Sequence, residues 1–238
     1  MPEFADAFRT AFAMVVTFDP GLTEIVALSL RINFTAVGFA VLVGFPVGAA
    51  VAVFRFPGRQ VLSVVLNALM GMPPVVVGLI VYLLLSRAGP LGVLGLLFTP
   101  TAMIIAQFLL IAPIVAALTR QTVDDLWQEY REQLRSLGAS VTRTLLTLLW
   151  EGRFSLSTAV LAGFGRASGE VGAVMIVGGN IDHLTRVMTT AIALEVSKGD
   201  LSLALGLGII LITLSLCVSG AAFILNEFAK RRHGGAGV

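Results

Sequence analysis

Two ionisable residues, Arg166 and Glu170, lie within an otherwise apolar stretch of the sequence. They are four positions apart, so a continuous helix would place both side chains on one face. Charged groups at membrane depth usually face the interior of a helix bundle or a wet cavity, where they find partners. Two interpretations stay open: the pair lines or gates a polar pathway, or it is an internal ion pair that holds two helices together.

Small polar residues near this pair in the sequence could donate hydrogen bonds at the outer mouth of such a pathway. Residues of this type more often cap helices or bind backbone groups, so that alternative also stays open. Besides the charged pair, the candidates are Ser168, Asn180, Thr185, Thr189 and Thr190. Asn67 and Gln107 lie in two other apolar stretches, and we predict that they form hydrogen bonds between helices.

The residue groupings that enzymes use are absent from this sequence. No Ser/His/Asp constellation is present, and the two histidines, His183 and His233, are far apart with no metal-ligand spacing around them. The G-x-x-x-x-G-K-[ST] loop that binds nucleotide phosphates is also missing. The single cysteine, Cys217, excludes a disulfide within the chain. We therefore predict no catalytic residue, no metal site and no cofactor on this chain.

The elements that must position these residues are long apolar helices. The 238 residues are 57% hydrophobic and 13% charged, whereas a soluble domain has about 45–50% and about 25%. A span needs about 20 mostly apolar residues, and these runs lack the alternation of a membrane β-barrel. We predict an all-α integral membrane protein of about five transmembrane helices, near residues 25–54, 61–85, 97–118, 154–178 and 201–225.

Shorter segments complete the predicted organisation. A hydrophilic stretch at residues 119–153 is predicted to form two short helices with a turn at Gly138. Residues 187–196 are too short to span, so they form a re-entrant or surface helix. The predicted parts are an interfacial amphipathic helix at residues 1–21, a transmembrane domain at 22–227 and a basic tail at 228–238.

Basic residues that flank spans predict orientation, because they remain on the cytoplasmic side. Most arginines and lysines fall in the turn at residues 54–60, the stretch at 119–153 and the C-terminal tail. We therefore predict a cytoplasmic C-terminus, an external N-terminus and a cytoplasmic loop at 119–153. These loops account for the net charge of +2, so we predict no nucleic-acid partner.

The cytoplasmic stretch carries a recognisable spacing: Glu132-Gln133-Leu134, three residues, Gly138, nine residues and Leu148. It resembles the coupling loop of ABC-importer permeases, although Gln133-Leu134 replaces the usual alanine pair and Trp150 stands at the last position. The resemblance implies that a short helix after the glycine turn docks on a cytosolic ATPase. The implied coupling residues are Glu132, Gln133, Leu134, Leu137, Gly138, Ala139 and Ser140. A solvated charged loop is the alternative.

Two further runs, GRASGEVGAVMIVGGNI at residues 165–181 and TRVMTTAIALEVSKGDL at 185–201, resemble the tungstate-import permeases. That family belongs to the molybdate, tungstate and sulfate oxyanion group. The resemblance implies a type I ABC-importer permease in the plasma membrane, built as a homodimer. It also implies an ATPase dimer that binds ATP and Mg²⁺ inside, and an oxyanion-binding protein outside.

The function implied is import of a tetrahedral oxyanion, tungstate above all, by alternating access. Arg166 would then be able to meet a passing dianion. The same architecture importing molybdate or sulfate stays open, because the size and charge of molybdate match those of tungstate. An ion-driven secondary carrier is a further alternative, although no inverted repeat is visible.

Overall fold

The structure is a computed structural model that describes residues 8, 9, 12, 13, 16, 17 and 20–234. Within these residues the chain is predominantly helical and contains no β-strand, which confirms the predicted all-α class. The interfacial helix predicted within residues 1–21 falls largely on positions outside this part of the chain.

Nine α-helices make up most of the structure between residues 20 and 234, and they are numbered here in chain order. A single turn of 3₁₀-helix, Gly92–Leu94, precedes the fourth. The helices are α1 (Pro20–Val53), α2 (Arg59–Met70), α3 (Pro74–Leu85), α4 (Pro100–Ser136), α5 (Val141–Glu151), α6 (Arg153–Ser168), α7 (Gly172–Gly178), α8 (Met188–Lys198) and α9 (Leu201–Gly234).

Three of these helices, α1, α4 and α9, are long and apolar enough to cross a membrane by themselves. The pairs α2–α3 and α6–α7 pass the same test together, each bent at a short break. The described residues therefore supply three spans, or up to five if each bent pair counts as one. The predicted number of about five is the upper end of this range.

Two of the predicted spans are interrupted. The second, at residues 61–85, consists of α2 and α3, because prolines break helices and restrict the residue before them. Pro73 caps α3 and Pro74 is its first residue. The fourth, at residues 154–178, is divided at residues 169–171 into α6 and α7. Each bent pair still passes the length and composition test for a span, so the two predicted spans stand as broken ones if each pair is counted as one.

The third long helix continues far beyond its predicted end. α4 runs through Pro113 and on to Ser136 without a break. Residues 119–136 therefore extend the helix of the third span and do not form a separate short helix. No glycine or proline occurs between Pro113 and Gly138, and the charged residues there are good helix formers. The predicted turn at Gly138 and the helix after it, α5, are confirmed.

The chain forms two compact units. The first unit comprises Met1–Ala36, Pro73–Gln107 and Ala167–Gly220, and the second comprises Val37–Met72, Phe108–Arg166 and Ala221–Val238. The unit boundaries fall inside four helices: α1, α4, α6 and α9.

In the first unit α3 and α7 pack at backbone distance. A Cβ atom added to Gly78 of α3 would lie 2.7 Å from the Cα of Ala173 in α7. Small residues permit this close approach, which is typical of helices in membranes. A separate apolar cluster joins the start of α1 to α8 and α9 through Leu22, Met188 and Leu207.

In the second unit α5 packs on the last turns of α1 and on α4. Its buried face places Leu148 in a cluster with Ala49, Ala52 and Val123. A Cβ atom at Gly48 would lie 2.4 Å from the backbone oxygen of Ala116, so α1 and α4 are in direct backbone contact. This packing fixes the position of α5 and of the turn that precedes it.

Candidate functional site

The first candidate site is a group of buried polar side chains in the first unit, called here the polar network. Each member has at most 9% of its surface exposed. Burial makes hydrogen bonds obligatory for such groups, so the network is held in one arrangement. Its members are Asn33 of α1, Gln107 of α4, Ser168 at the end of α6, Glu170 and Thr189 of α8.

Gln107 is the central residue of this network. Its Nε2 donates to Asn33 Oδ1 at 3.1 Å and to the backbone oxygen of Ala167 at 3.3 Å. Asn33 Nδ2 in turn lies 3.5 Å from Ser168 Oγ. The predicted role of Gln107 as an interhelical hydrogen-bond partner is confirmed. Asn67, for which the same role was predicted, has an exposed side chain.

A second set of hydrogen bonds attaches the start of α8. The Thr189 hydroxyl donates to the backbone oxygen of Glu170 at 2.8 Å. The amide of Met188 donates to Ser29 Oγ of α1 at 2.9 Å. Both bonds are buried, so they fix the first turn of α8 against α1 and the break after α6.

The polar network surrounds a small cavity. Its volume is about 20 Å³, and its lining includes Asn33, Gln107, Ser168 and Thr189. A space of this size holds roughly one water molecule, so a tetrahedral oxyanion does not fit. Gln107 Oε1 is buried in this region and has no hydrogen-bond partner among the residues that the structure describes.

The premise that placed Arg166 and Glu170 on one helical face was wrong. α6 ends at Ser168, and Glu170 follows in the non-helical break. Glu170 Oε1 accepts a hydrogen bond from the amide of Ala173 at 2.9 Å, and a carboxylate there suits the first turn of α7. Arg166 is half-buried in the second unit.

The remaining polar candidates lie between the end of α7 and the first turn of α8. Thr185 Oγ1 donates to the backbone oxygen of Gly178 at 2.6 Å, and Thr190 Oγ1 donates to that of Val187 at 3.1 Å. These contacts agree with the backbone-binding alternative. Asn180 has a left-handed backbone, with φ of 50°, and its buried Oδ1 has no hydrogen-bond partner within the described part of the chain.

An exposed ion pair lies in the connection between α7 and α8. His183 Nδ1 is 2.7 Å from Glu24 Oε2 of α1. This hydrogen bond raises the pKa of His183 above its usual 6.5, and the negative charges of Glu24 and Asp182 act in the same direction. The pair therefore gives this connection a charge that depends on pH.

The second candidate site is the turn between α4 and α5, residues 137–140, called here the projecting turn. Gly138 has φ of +65°, a conformation that favours glycine. Its amide donates to the oxygen of Arg135, and the amide of Ala139 donates to that of Leu134, each at 3.0 Å. This is the Schellman arrangement that ends many helices. Ser140 then caps α5 by accepting from the amide of Arg143 at 3.5 Å.

The surface of the projecting turn is available for contact. Leu137 is 80% exposed, and a Cβ atom at Gly138 would meet nothing within 4 Å. Glu132 and Gln133 are exposed on the last turns of α4, whereas Leu134 and Ala139 are half-buried. The structure thus brings the seven predicted coupling residues into one continuous element.

α5 presents an apolar face outward as well as inward. Thr144 and Leu148 are buried against the second unit, while Leu146 and Trp150 are 62% and 67% exposed. Arg153 lies over the ring of Trp150 at 4.7 Å. Exposed apolar side chains beside an exposed turn are typical of a protein-binding surface.

Sequence reasoning missed Ser29, which binds the start of α8, and it did not identify Asn33 as a partner of Gln107. Both are polar residues in an apolar helix and are four positions apart, so they share a face. That spacing is a signal that could have identified them, because polar groups inside spans require partners.

Comparison with known families decides what kind of protein carries these features. The family model of the binding-protein-dependent transport system inner membrane component matches residues 44–231. The match covers most of the chain, including the projecting turn and the break after α6. The chain belongs to this permease family. The relatives of this permease are transport subunits, and a multi-pass membrane location follows from the family and from the apolar helices.

Several relatives match the permease along nearly its full length. It is 40% identical to the tungstate uptake system permease protein TupB of Peptoclostridium acidaminophilum, over 95% of this chain and 100% of that protein. It is 42% identical to a probable anion ABC transporter permease protein of Haloferax volcanii, over 90% and 94%. It is 36% identical to TupB of Campylobacter jejuni, over 94% and 93%. Sulfate transport permeases are more distant, at 23 to 29% identity.

Proposed function

We propose that this permease is the membrane-spanning subunit of an ATP-driven importer that carries tungstate into the cell. The observation that carries the proposal is the full-length similarity to two tungstate uptake permeases, at 40% and 36% identity. Sulfate as the cargo is less well supported, because the sulfate permeases match at lower identity and over less of the chain. Molybdate is the alternative cargo, and the uptake experiment below distinguishes it from tungstate.

The projecting turn is the proposed contact with an ATPase dimer. That partner binds ATP and Mg²⁺, so the permease itself hydrolyses nothing and holds no cofactor. Support comes from the exposure of Leu137 and from the Schellman hydrogen bonds of Gly138. A turn held in one conformation transmits a push or pull without first having to order itself.

The proposed assembly contains two copies of this permease and an oxyanion-binding protein on the outer side. In this assembly the N-terminus of each permease copy is external and the C-terminus is cytoplasmic. This orientation rests on the basic residues near the 54–60 turn, the projecting turn and the C-terminal tail.

Alternating access requires the permease to change conformation, because the cavity of the polar network is too small for the cargo. Residues 169–171, between α6 and α7, are the proposed flexible point of the gate. Ser168, Glu170 and Thr189 adjoin this break, and Asn180 and Arg166 remain candidates for contact with the passing anion. ATP and the loaded binding protein can shift the balance between the inward- and outward-facing states only if each binds one state more tightly than the other.

Uptake by intact cells tests this function. Cells that lack the gene are supplied separately with tungstate, molybdate and sulfate, and their tungsten, molybdenum and sulfur contents are measured by mass spectrometry. We expect only tungstate uptake to fall, and the wild-type gene to restore it. A loss confined to molybdate or sulfate would reassign the cargo. Unchanged uptake of all three anions would reject the oxyanion proposal.

A further inference from the structure

A basic pocket in the second unit is separate from the polar network and from the projecting turn. It is an open pocket of about 870 Å³, formed where the turn after α1 meets the first turns of α2 and the middle of α4. Its lining contains three arginines and no carboxylate. The lining residues that matter here are Arg55, Phe56, Gly58, Arg59 and Arg120.

Arg59 forms the fixed wall of this pocket. Its Nε donates to the backbone oxygen of Val51 at 2.7 Å, and its Nη2 donates to that of Ala52 at 2.9 Å. Nη2 also lies 2.7 Å from Asp124 Oδ1. One carboxylate thus offsets one of the three arginines, and the pocket keeps an excess of positive charge.

Arg120 supplies an unused donor. Its Nε is fully buried and has no hydrogen-bond partner in the described chain. The guanidinium of Arg120 is not neutralised by that hydrogen-bonding position, and the residue lines the pocket. Arg55 is exposed at the rim of the pocket and adds a second guanidinium that can reach an incoming group.

The start of α2 contributes a third source of positive potential. This helix of 12 residues begins after Gly58, whose φ is +90° and which provides no side-chain cap. The amides of a first turn and the helix dipole favour an anion. Arg120 and the first residues of α2 line the same pocket, so the arginine charges and the helix start both favour an anionic ligand there.

We propose that this pocket binds the phosphate group of an anionic phospholipid. Guanidinium groups match phosphate oxygens in geometry and charge. Phe54 and Phe56 flank the pocket with 40% of each side chain exposed, as expected of aromatic residues at the membrane–water interface. Basic pockets at that level of a membrane protein select anionic headgroups.

This site is independent of the transported anion. Arg55 also lines the cleft beside Arg135 and Ala139 at the projecting turn. A lipid held by Arg55 would therefore stabilise the region through which the ATPase acts, whichever oxyanion passes through the permease.

Native mass spectrometry of the purified full-length permease tests the proposal. The protein is titrated with phosphatidylglycerol and with phosphatidylcholine, and in a separate series with inorganic phosphate. We expect phosphatidylglycerol to bind at least about tenfold more tightly than phosphatidylcholine. The Arg55→Gln/Arg120→Gln double variant should bind it about 30-fold more weakly, since each arginine near the surface contributes a factor of about five.

Arg87→Gln is the matched control, because Arg87 is an exposed arginine outside this pocket. Arg55→Gln alone changes only an exposed side chain, and it should weaken binding even if the double variant fails to fold.

Equal binding of the two lipids, or equal effects of Arg87→Gln and Arg55→Gln, would overturn the proposal. Binding of inorganic phosphate at the same affinity as phosphatidylglycerol would overturn the lipid assignment. Loss of ATPase association with unchanged lipid binding would reassign the pocket to that protein.

Discussion

At the scale of single residues, one buried amide joins three segments of the chain. Gln107 Nε2 donates both to Asn33 and to the backbone of Ala167, and these groups lie on α1, α4 and α6. A buried polar group that loses its partner pays the full cost of desolvation. The order of the first unit therefore depends on this side chain.

Replacing Gln107 by Leu should lower the stability of the permease by about 1–3 kcal/mol, because Asn33 and the Ala167 oxygen would lose their partner. The measurement is thermal unfolding in detergent, with Gln128→Leu as the control. Gln128 is an exposed glutamine on the same helix. Equal unfolding temperatures for the two variants would contradict the role given to Gln107.

The His183–Glu24 pair leads to a prediction about pH. The pKa of His183 is raised above 6.5 by its hydrogen bond to Glu24 and by that residue's charge. The pair therefore contributes fully below pH 6.5 and loses its contribution as pH rises through the higher folded-state pKa. NMR titration of labelled His183 should give a pKa above 6.5, and Glu24→Gln should lower it. A pKa unaffected by Glu24→Gln would contradict the pairing.

The residue types were identifiable from the sequence, but their partners were not. Gln107 was predicted to join helices because an amide inside an apolar span requires a partner. The i,i+4 argument for Arg166 and Glu170 failed because it assumed a continuous helix. The helix ends at Ser168, so Glu170 does not follow the helical spacing that would place it on the same face as Arg166. The anion-facing role of Arg166 therefore stays a prediction.

At the scale of elements, glycines decide where helices stop and how closely they pack. Gly138 ends α4 with a left-handed residue, and Gly78 lets α3 approach α7. The two positions differ in what a side chain would meet. Gly138 faces open space, whereas Gly78 faces the backbone of Ala173.

Gly138→Leu should leave insertion intact and weaken coupling. A leucine in this conformation costs about 1–2 kcal/mol, so the turn should relax and its docking on the ATPase should weaken by about tenfold. Co-purification of the ATPase and ATP-driven uptake measure the effect. Gly199→Leu is the control, because Gly199 has φ of +84° and also faces open space at the end of α8. Normal uptake by Gly138→Leu would refute the coupling role.

Gly78→Ala should destabilise the first unit, because the added Cβ would lie 2.7 Å from the Cα of Ala173. Overpacking of this kind typically costs about 1–3 kcal/mol. Thermal unfolding in detergent is the measurement, and Gly38→Ala is the matched control, since a Cβ at Gly38 of α1 meets nothing within 4 Å. The close packing would be disproved if both variants unfolded at the wild-type temperature.

Helix types and approximate positions were predictable, while their continuity was not. Length and apolar composition predicted α1, α4 and α9, because the bilayer imposes both. Pro73 and Pro74 mark the break after Met70 in the sequence, whereas no proline marks the break after Ser168. The extension of α4 to Ser136 was missed because charge was read as the end of a helix, although charged residues are good helix formers.

At the scale of the whole molecule, the permease carries its two candidate sites on different compact units. The polar network lies in the first unit, and the projecting turn lies in the second. Family membership supports a transport subunit that belongs to a larger import system. Sequence alone predicted this class of protein from the spacing around Gly138 and from the run at residues 165–181, and the family match over residues 44–231 confirms it.

ATP-dependent tungstate accumulation in proteoliposomes tests the central claim most directly. The vesicles contain the purified permease with its ATPase. The oxyanion-binding protein and tungstate are added on the side of the vesicle membrane that the outer face of the permease meets. We predict accumulation that requires ATP and all three proteins, and that is strongly reduced by Gly138→Leu. Accumulation without ATP or without the ATPase, or none with the complete system, would contradict the assignment as an ATP-driven tungstate permease.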